Sequence, residues 1–178
     1  PYPCVEQRIS RAMPCALLMK RPAVLFDGKP QEEGRRLARE RLDDALRAVE
    51  SALTWRGVAL WPEREPELLV TAYAADFLLT LREAGADLPG GLLADVFGAL
   101  EKAVDRVPAS LEEGREQAYA LWVLTREGRI TTQALEQLML RLEEDFPAWR
   151  QDVTSTLIAA SCAVMRMNDV ALQFVDMY

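Results

Sequence analysis

The residues with most chemical potential in this 178-residue sequence are its three cysteines, Cys4, Cys15 and Cys162, and they stand in a chain with no histidine. Without imidazole, Ser-His-Asp and Cys-His arrangements, histidine zinc sites and ordinary imidazole acid–base catalysis are excluded together. Three scattered cysteines fit neither a disulfide-dense module nor a CxxC metal knuckle, and an odd count leaves at least one unpaired within the chain. Cys162 lies in an apolar run from Leu157 to Val164, and Cys15 lies beside Ala16, Leu17 and Leu18. Both read as small buried hydrophobes. Cys4 differs, with Pro3, Glu6 and Gln7 around it at the lip of an expected helix. Glu67 and Asp76 could line a cavity, but no carboxylate pair of the glycosidase kind can be named. No glycine-rich phosphate loop is present. The charged residues of 31–48 and 141–145 read as solvated faces. From the residues alone, Cys4 and Gln7 are an exposed free thiol beside an ordinary helix start, and Arg8 and Arg11 are as readily solvated as functional.

The elements that must position Cys4 are helical. Ile9, Met13, Leu17 and Leu18 recur at helical spacing and predict a first helix from Glu6 to Met19. Pro22, Gly28 and Pro30 make Arg21 to Lys29 a loop. From Gln31 to Leu53, Leu37, Leu42, Ala45, Leu46, Val49 and Leu53 oppose a face of Arg and Glu. The stretch Thr54 to Pro66, TWRGVALWPEREP, breaks the period, and its Trp55 and Trp61 are expected to pack back against the bundle. Helices follow from Glu67 to Ala84, stopped by Gly85, and from beyond Leu88-Pro89-Gly90-Gly91 to Val107, closed by Pro108. Ser110 with Glu113 predicts a capping box for a helix ending near Gly128. Thr131 or Thr132 should cap the next, to Asp145, and Pro147 resets the chain for segments Asp152–Met165 and Asn168–Tyr178. No strict two-residue alternation survives, so essentially no sheet is expected.

An internal echo suggests a repeating αα-hairpin. Ala72-Tyr73-Ala74 begins a helix closing at Leu81-Arg82-Glu83-Ala84-Gly85, and Ala118-Tyr119-Ala120 one closing at Leu124-Thr125-Arg126-Glu127-Gly128. A third copy is expected near Thr154, with Ala159, Ala160 and Ala163 allowing close helix approach. The fold class is therefore all-α, built of αα-hairpin repeats that form an α/α toroid or part of one. Tyr73, Tyr119 and Trp122, like the loop tryptophans, read as packing residues.

Half of the residues are apolar and the net charge is −7. That supports one real core over residues 1–178 and argues against a nucleic-acid surface. No segment is long and apolar enough to span a bilayer, and no signal-peptide pattern opens the chain. It begins with Pro1 rather than methionine and is expected to be a piece of a larger multidomain protein.

Residues 1–14, PYPCVEQRISRAMP, carry a more specific signal. They resemble the thioester motif of the alpha-2-macroglobulin family, especially its bacterial members, where Cys-x-Glu-Gln follows a Tyr-Pro pair and precedes Ser-Arg and a proline. The matching residues are Tyr2-Pro3, then Cys4, Val5, Glu6 and Gln7, then Ser10, Arg11 and Pro14. Pro3 stands where family members commonly have glycine. The stretch from Leu60-Trp61-Pro62 through Thr71-Ala72-Tyr73, Asp76 to Leu79 and Glu83-Ala84-Gly85 also resembles the family's helical domain.

The resemblance implies a thioester between Cys4 sulfur and the Gln7 acyl carbon, with Tyr2 near enough to shield it and Glu6 able to orient a turn N–H group. It implies a single-turnover endopeptidase inhibitor rather than an enzyme. A protease cuts a bait elsewhere, and the exposed thioester is attacked by a lysine amine or a hydroxyl of that protease. Some complement members use a histidine to favour hydroxyls; none is present here, so amines should be preferred. The implied partners are target proteases and other domains of the parent chain. The implied location is the periplasm or cell envelope, with inner-membrane anchorage of the parent as one form of it. No metal and no cofactor are expected. The competing expectation is a helical-repeat scaffold that binds protein without covalent chemistry.

Overall fold

The computed structural model describes residues 3–21 and 24–175 of the chain. Among the described residues it is all-α: α1 (Val5–Leu17), α2 (Gln31–Ala52), α3 (Leu68–Ala84), α4 (Leu92–Ala103), α5 (Leu111–Glu127), α6 (Thr132–Asp145), α7 (Val153–Val164) and α8 (Asn168–Val175). The sheet is one antiparallel ladder, β1 (Leu53–Thr54) with β2 (Gly57–Val58), in the register Leu53↔Val58 and Thr54↔Gly57. The chain divides into two compact units, residues 1–100 and 101–178, and the division falls within α4.

In the first unit α1 lies against both α2 and α3. Its buried face is Val5, Ile9, Ala12, Cys15 and Ala16, and α2 answers with Ala38, Ala45, Ala48, Val49 and Ala52. Small residues on both surfaces let the backbones approach closely. Near the C-terminal end of α1, Cys15 packs with Phe26 and Ala38, and the Arg41 guanidinium lies 4.9 Å from the Phe26 ring centre. Burial pushes the Cys15 thiol up, partly offset by Arg41, and burial alone raises Cys162. Both are closed core residues, as expected.

α3 and α5 are each 17 residues long, and each ends on a left-handed glycine, Gly85 (φ 87°) and Gly128 (φ 101°). Such a backbone is open to glycine at little cost and frees the last carbonyls for capping. α7 begins at Val153, near the expected third start. Its buried face is not the alanine set, however. Thr154, Ser155, Ile158, Ser161 and Cys162 are buried, whereas Ala163 is exposed. The serines satisfy themselves on carbonyls of their own segment, Ser155 on Asp152 (2.8 Å) and Ser161 on Leu157 (2.9 Å), and so can be buried where alanine was expected.

Other expectations shift for local reasons. Trp55 is 75% exposed and Trp61 43%. Trp55 sits at the tip of the two-residue turn between β1 and β2, where no core face exists, and Val58 and Ala59 take the inward positions. Tyr73, Tyr119 and Trp122 are half-buried, whereas the fully buried tryptophan is Trp149, against Phe174 with ring centres 5.5 Å apart. α4 stops at Ala103, short of Val107. Gln117 of α5 donates to the carbonyls of Val104 (2.9 Å) and Arg106 (3.0 Å), and Pro108 disfavours helix at the residue before it. Ser110 accepts from Glu113 N (3.1 Å), but Glu113 reaches back to Ala109 N (2.8 Å) rather than to Ser110. Thr131 occupies the N-cap of α6 without capping it; its hydroxyl pairs with that of Thr125 at 2.5 Å. Pro147 starts a 3₁₀ turn, Pro147–Gln151.

In the second unit α5 packs on α6 and α7. Asp152 ties two of these together. Its carboxylate caps α7 by accepting from Thr154 N (2.9 Å) and takes both arms of the Arg115 guanidinium of α5, at 3.0 and 2.6 Å. The Arg115 hydrogen bond holds this carboxyl well below the usual carboxylate range, against the opposing effect of burial. A depressed folded-state value stabilises the fold above the unfolded value of about 3.9 and is lost as pH falls towards the folded one. Asp152→Ala is therefore expected to cost about 1–2 kcal/mol near neutral pH. Denaturant melts should find that difference constant above roughly pH 5 and shrinking through the acidic range.

Candidate functional site at the start of α1

α1 begins where the sequence resemblance is strongest. Cys4 is the N-cap, in extended backbone, and Gln7 is the third helical residue. These are the two positions of a capping box. The Cys4 N–H donates to Gln7 Oε1 at 3.3 Å, while the Cys4 sulfur faces the Gln7 N–H in place of the usual hydroxyl oxygen. Sulfur is a weak acceptor, and no conventional side-chain cap forms there. Cys4 is only 8% exposed, not the exposed thiol its polar neighbours suggest, because the Leu60 segment lies against this helix end, whereas Gln7 is exposed. The thiol side of the pair is thus closed and the carboxamide side open.

The anchor for this helix end comes from the β1–β2 hairpin. Val5 N donates to the carbonyl of Leu60 at 3.0 Å. The segment before Leu60 is held in turn by α3: Val58 N donates to Thr71 Oγ1 (2.9 Å), Glu67 N donates to Val58 O (3.2 Å), and the Thr71 hydroxyl donates to Glu67 O (2.8 Å). Gly57 makes that approach possible. It has φ 138°, and a Cβ there would lie 2.5 Å from Thr71 Oγ1.

A second anchor comes from α2. Arg8 donates through Nε to the Pro3 carbonyl (3.1 Å) and pairs with Asp44. Asp44 is 36 positions away in sequence, so nothing around the motif announces it. Arg8 and Asp44, with Pro3 and Trp61, line an open groove of about 420 Å³ beside the motif.

The remaining motif residues are dispersed along α1. Ser10 Oγ and the Tyr73 hydroxyl of α3 share a hydrogen bond of 3.1 Å. Glu6 is exposed in the first turn and takes no hydrogen bond among the described residues, so the expected link to a turn N–H is not made there. Arg11 is exposed, and Pro14 lies inside the helix on its exposed side. Tyr2 lies outside the described residues. Glu67 is exposed at the start of α3 and Asp76 lies nine residues on, about 13 Å along the axis, so the two do not form a carboxylate pair. Among the described residues no cluster of three metal-ligating side chains exists, and no helix is long and apolar enough to cross a membrane.

No protein-family model matches the chain. It is 32% identical over 190 aligned residues to an alpha-2-macroglobulin of Pasteurella multocida (strain Pm70), covering 97% of this chain and 10% of that protein. It is 31% identical to an alpha-2-macroglobulin homolog of Yersinia pestis, covering 96% of this chain and 8% of the relative. The chain thus spans about a tenth of these relatives. Its fold matches that of Salmonella alpha-2-macroglobulin reacted with methylamine at a TM-score of 0.78 and 22% identity, over 98% of this chain and 12% of the other. It also matches trypsin-activated alpha-2-macroglobulin from Escherichia coli at a TM-score of 0.77 and 20% identity, over 99% of this chain and 13% of the other.

The hairpin's role is open to test through Gly57. Gly57→Ala forces a side chain into left-handed backbone and into the Thr71 hydroxyl, and strain of this kind costs on the order of 1–3 kcal/mol. The melting temperature should fall by several degrees, and hydrogen exchange at the Val5 amide should accelerate beyond that of the α5 amides. An unchanged Val5 exchange rate would detach α1 from the hairpin.

Proposed function

We propose, on the premise that this chain is over nearly its whole length a relative of one segment of the bacterial alpha-2-macroglobulins, that it is the thioester-bearing helical domain of a protease-trapping protein. The observation that carries the reading is the placing of Cys4 and Gln7 as N-cap and third residue of α1, with the Cys4 N–H on the Gln7 carbonyl oxygen at 3.3 Å. That N–H and the positive end of the helix favour negative charge on this oxygen, which is where charge develops when a nucleophile adds to the acyl carbon.

Ring closure forms the bond from Cys4 sulfur to the Gln7 acyl carbon and breaks the carbon–nitrogen bond. Ammonia leaves, carrying the thiol proton. Opening reverses the sense: an amine nitrogen adds to the carbon, the carbon–sulfur bond breaks, and the amine proton passes to the sulfur. Position 7 then holds a substituted amide and Cys4 a free thiol. Water in place of the amine leaves glutamate at position 7. Each ring opens once, so the protein acts as a stoichiometric inhibitor and not as a catalyst.

With no histidine in the 178 residues to relay the acyl group, direct attack by a lysine amine of the captured protease is the preferred route. Because Gln7 is exposed here, protection from water must come from outside the described residues, from Tyr2 or from other domains of a parent chain. The proposed setting is the periplasm or cell envelope.

The test is the intact mass of protein purified without reductant, before and after methylamine, with peptide mapping of residues 1–8. A mass lower by one ammonia should rise on methylamine addition as the Cys4 thiol appears, and Cys4→Ala and Gln7→Asn should each abolish both changes. Intact Gln7 beside a free, unresponsive Cys4 would leave the helical-repeat scaffold as the function.

A further inference from the structure

We infer that Arg8, held by Asp44, is a positioning residue for the acyl chemistry, acting through the Pro3–Cys4 peptide group; the inference rests on the thioester reading above. Both closure and opening of the ring place negative charge on Gln7 Oε1, and the N–H directed at that oxygen is that of Cys4. The carbonyl of the same peptide group belongs to Pro3, and it accepts a hydrogen bond from Arg8 Nε at 3.1 Å. A peptide that accepts a cationic donor at its oxygen is polarised along its length, and its N–H becomes the stronger donor. Arg8 therefore both fixes the plane of this peptide and strengthens its bond to the acyl oxygen.

The arrangement is more than a tie between helices. α1 is already anchored through Val5 and Leu60 and by a continuous buried face. Arg8 directs one arm to Asp44 and another to Pro3, where the side chain is 24% exposed and its geometry is set at both ends. Lysine at this position could keep the charge opposite Asp44 but lacks the planar fork that serves two acceptors. Pro3 contributes as well. Its ring fixes φ on the far side of the carbonyl that Arg8 grips, so the peptide has little freedom left.

The experiment uses the protein as its organism makes it, purified without reductant, and reads the rate of methylamine uptake. Removing an oxyanion donor outright costs on the order of 10²–10³ in rate. Arg8→Gln leaves the donor in place but unsupported, so uptake should slow about tenfold, and Asp44→Asn should slow it about threefold. Arg8→Lys should recover less than half of the loss, and Arg36→Gln, on the exposed face of α2, should change nothing. A spectroscopic readout separates this from loss of structure. With ¹³C-carbonyl proline and ¹⁵N-cysteine, the only Pro–Cys pairs in the 178 residues are Pro3–Cys4 and Pro14–Cys15, the latter an internal reference. The Pro3 carbonyl and Cys4 amide signals should move upfield in both Arg8 variants while the reference pair stays still. If Arg8→Gln fails to fold, Asp44→Asn carries the same two readouts. Unchanged uptake in Arg8→Gln, slower uptake with an unmoved Pro3 carbonyl, or full recovery in Arg8→Lys would each overturn the positioning role. Absence of the ammonia-deficient mass in the unmutated protein would instead overturn the thioester reading itself.

Discussion

The main-chain hydrogen bond from Val5 to Leu60 is the contact on which the first unit turns. α1 starts with an N-cap whose sulfur is a poor acceptor, so the helix end cannot rely on its own side chain for definition. The Leu60 carbonyl replaces that missing restraint, and it is available because α3 holds the hairpin through Thr71 and Glu67. Everything chemical about Cys4 and Gln7 depends on α1 beginning at this residue and in this direction. The alanine and cysteine face of α1 then lets α2 come near enough for Asp44 to reach Arg8.

The second unit solves a similar problem with charge. Asp152 serves as the N-cap of α7 and as the acceptor for Arg115 of α5, so one carboxylate sets both where a helix starts and which neighbour it meets. Being charge-assisted and two-pronged, this pair resists replacement by neutral groups. Around it Trp149 and Phe174 close the apolar side. α3 and α5 have equal length and each ends on glycine, which matches the echo between their two sequences.

The chemistry proposed for α1 asks little of its surroundings once the ring exists, because a thioester is already an activated acyl group. What the fold must supply is a donor for the developing oxyanion, a fixed geometry for closure, and exclusion of water. The helix start and the Arg8 clamp meet the first two. The third is not met by the described residues, where the Gln7 side chain stands open, and this sets the demand on whatever covers the site.

Helix identity, the two glycine stops, the buried character of Cys15 and Cys162, and the motif of residues 1–14 were all legible in the sequence, because each rests on local periodicity, capping chemistry or a short contiguous pattern. The partners of the motif were not. Leu60 and Asp44 reach it across long stretches of chain, and ordinary residues of their type carry no mark of the contact. The tryptophans show the same limit from the other side: Trp55 and Trp61 are apolar enough to suggest packing, yet the two-residue turn points one to solvent and the groove leaves the other at its rim. α7 buries its hydroxyl face rather than its alanines because those hydroxyls can bond carbonyls nearby. By itself the sequence determined which residues form helices and marked, by resemblance, the pair proposed to react. Only the tertiary structure decided what holds that pair in place, since long-range contacts are selected by packing and not by spacing.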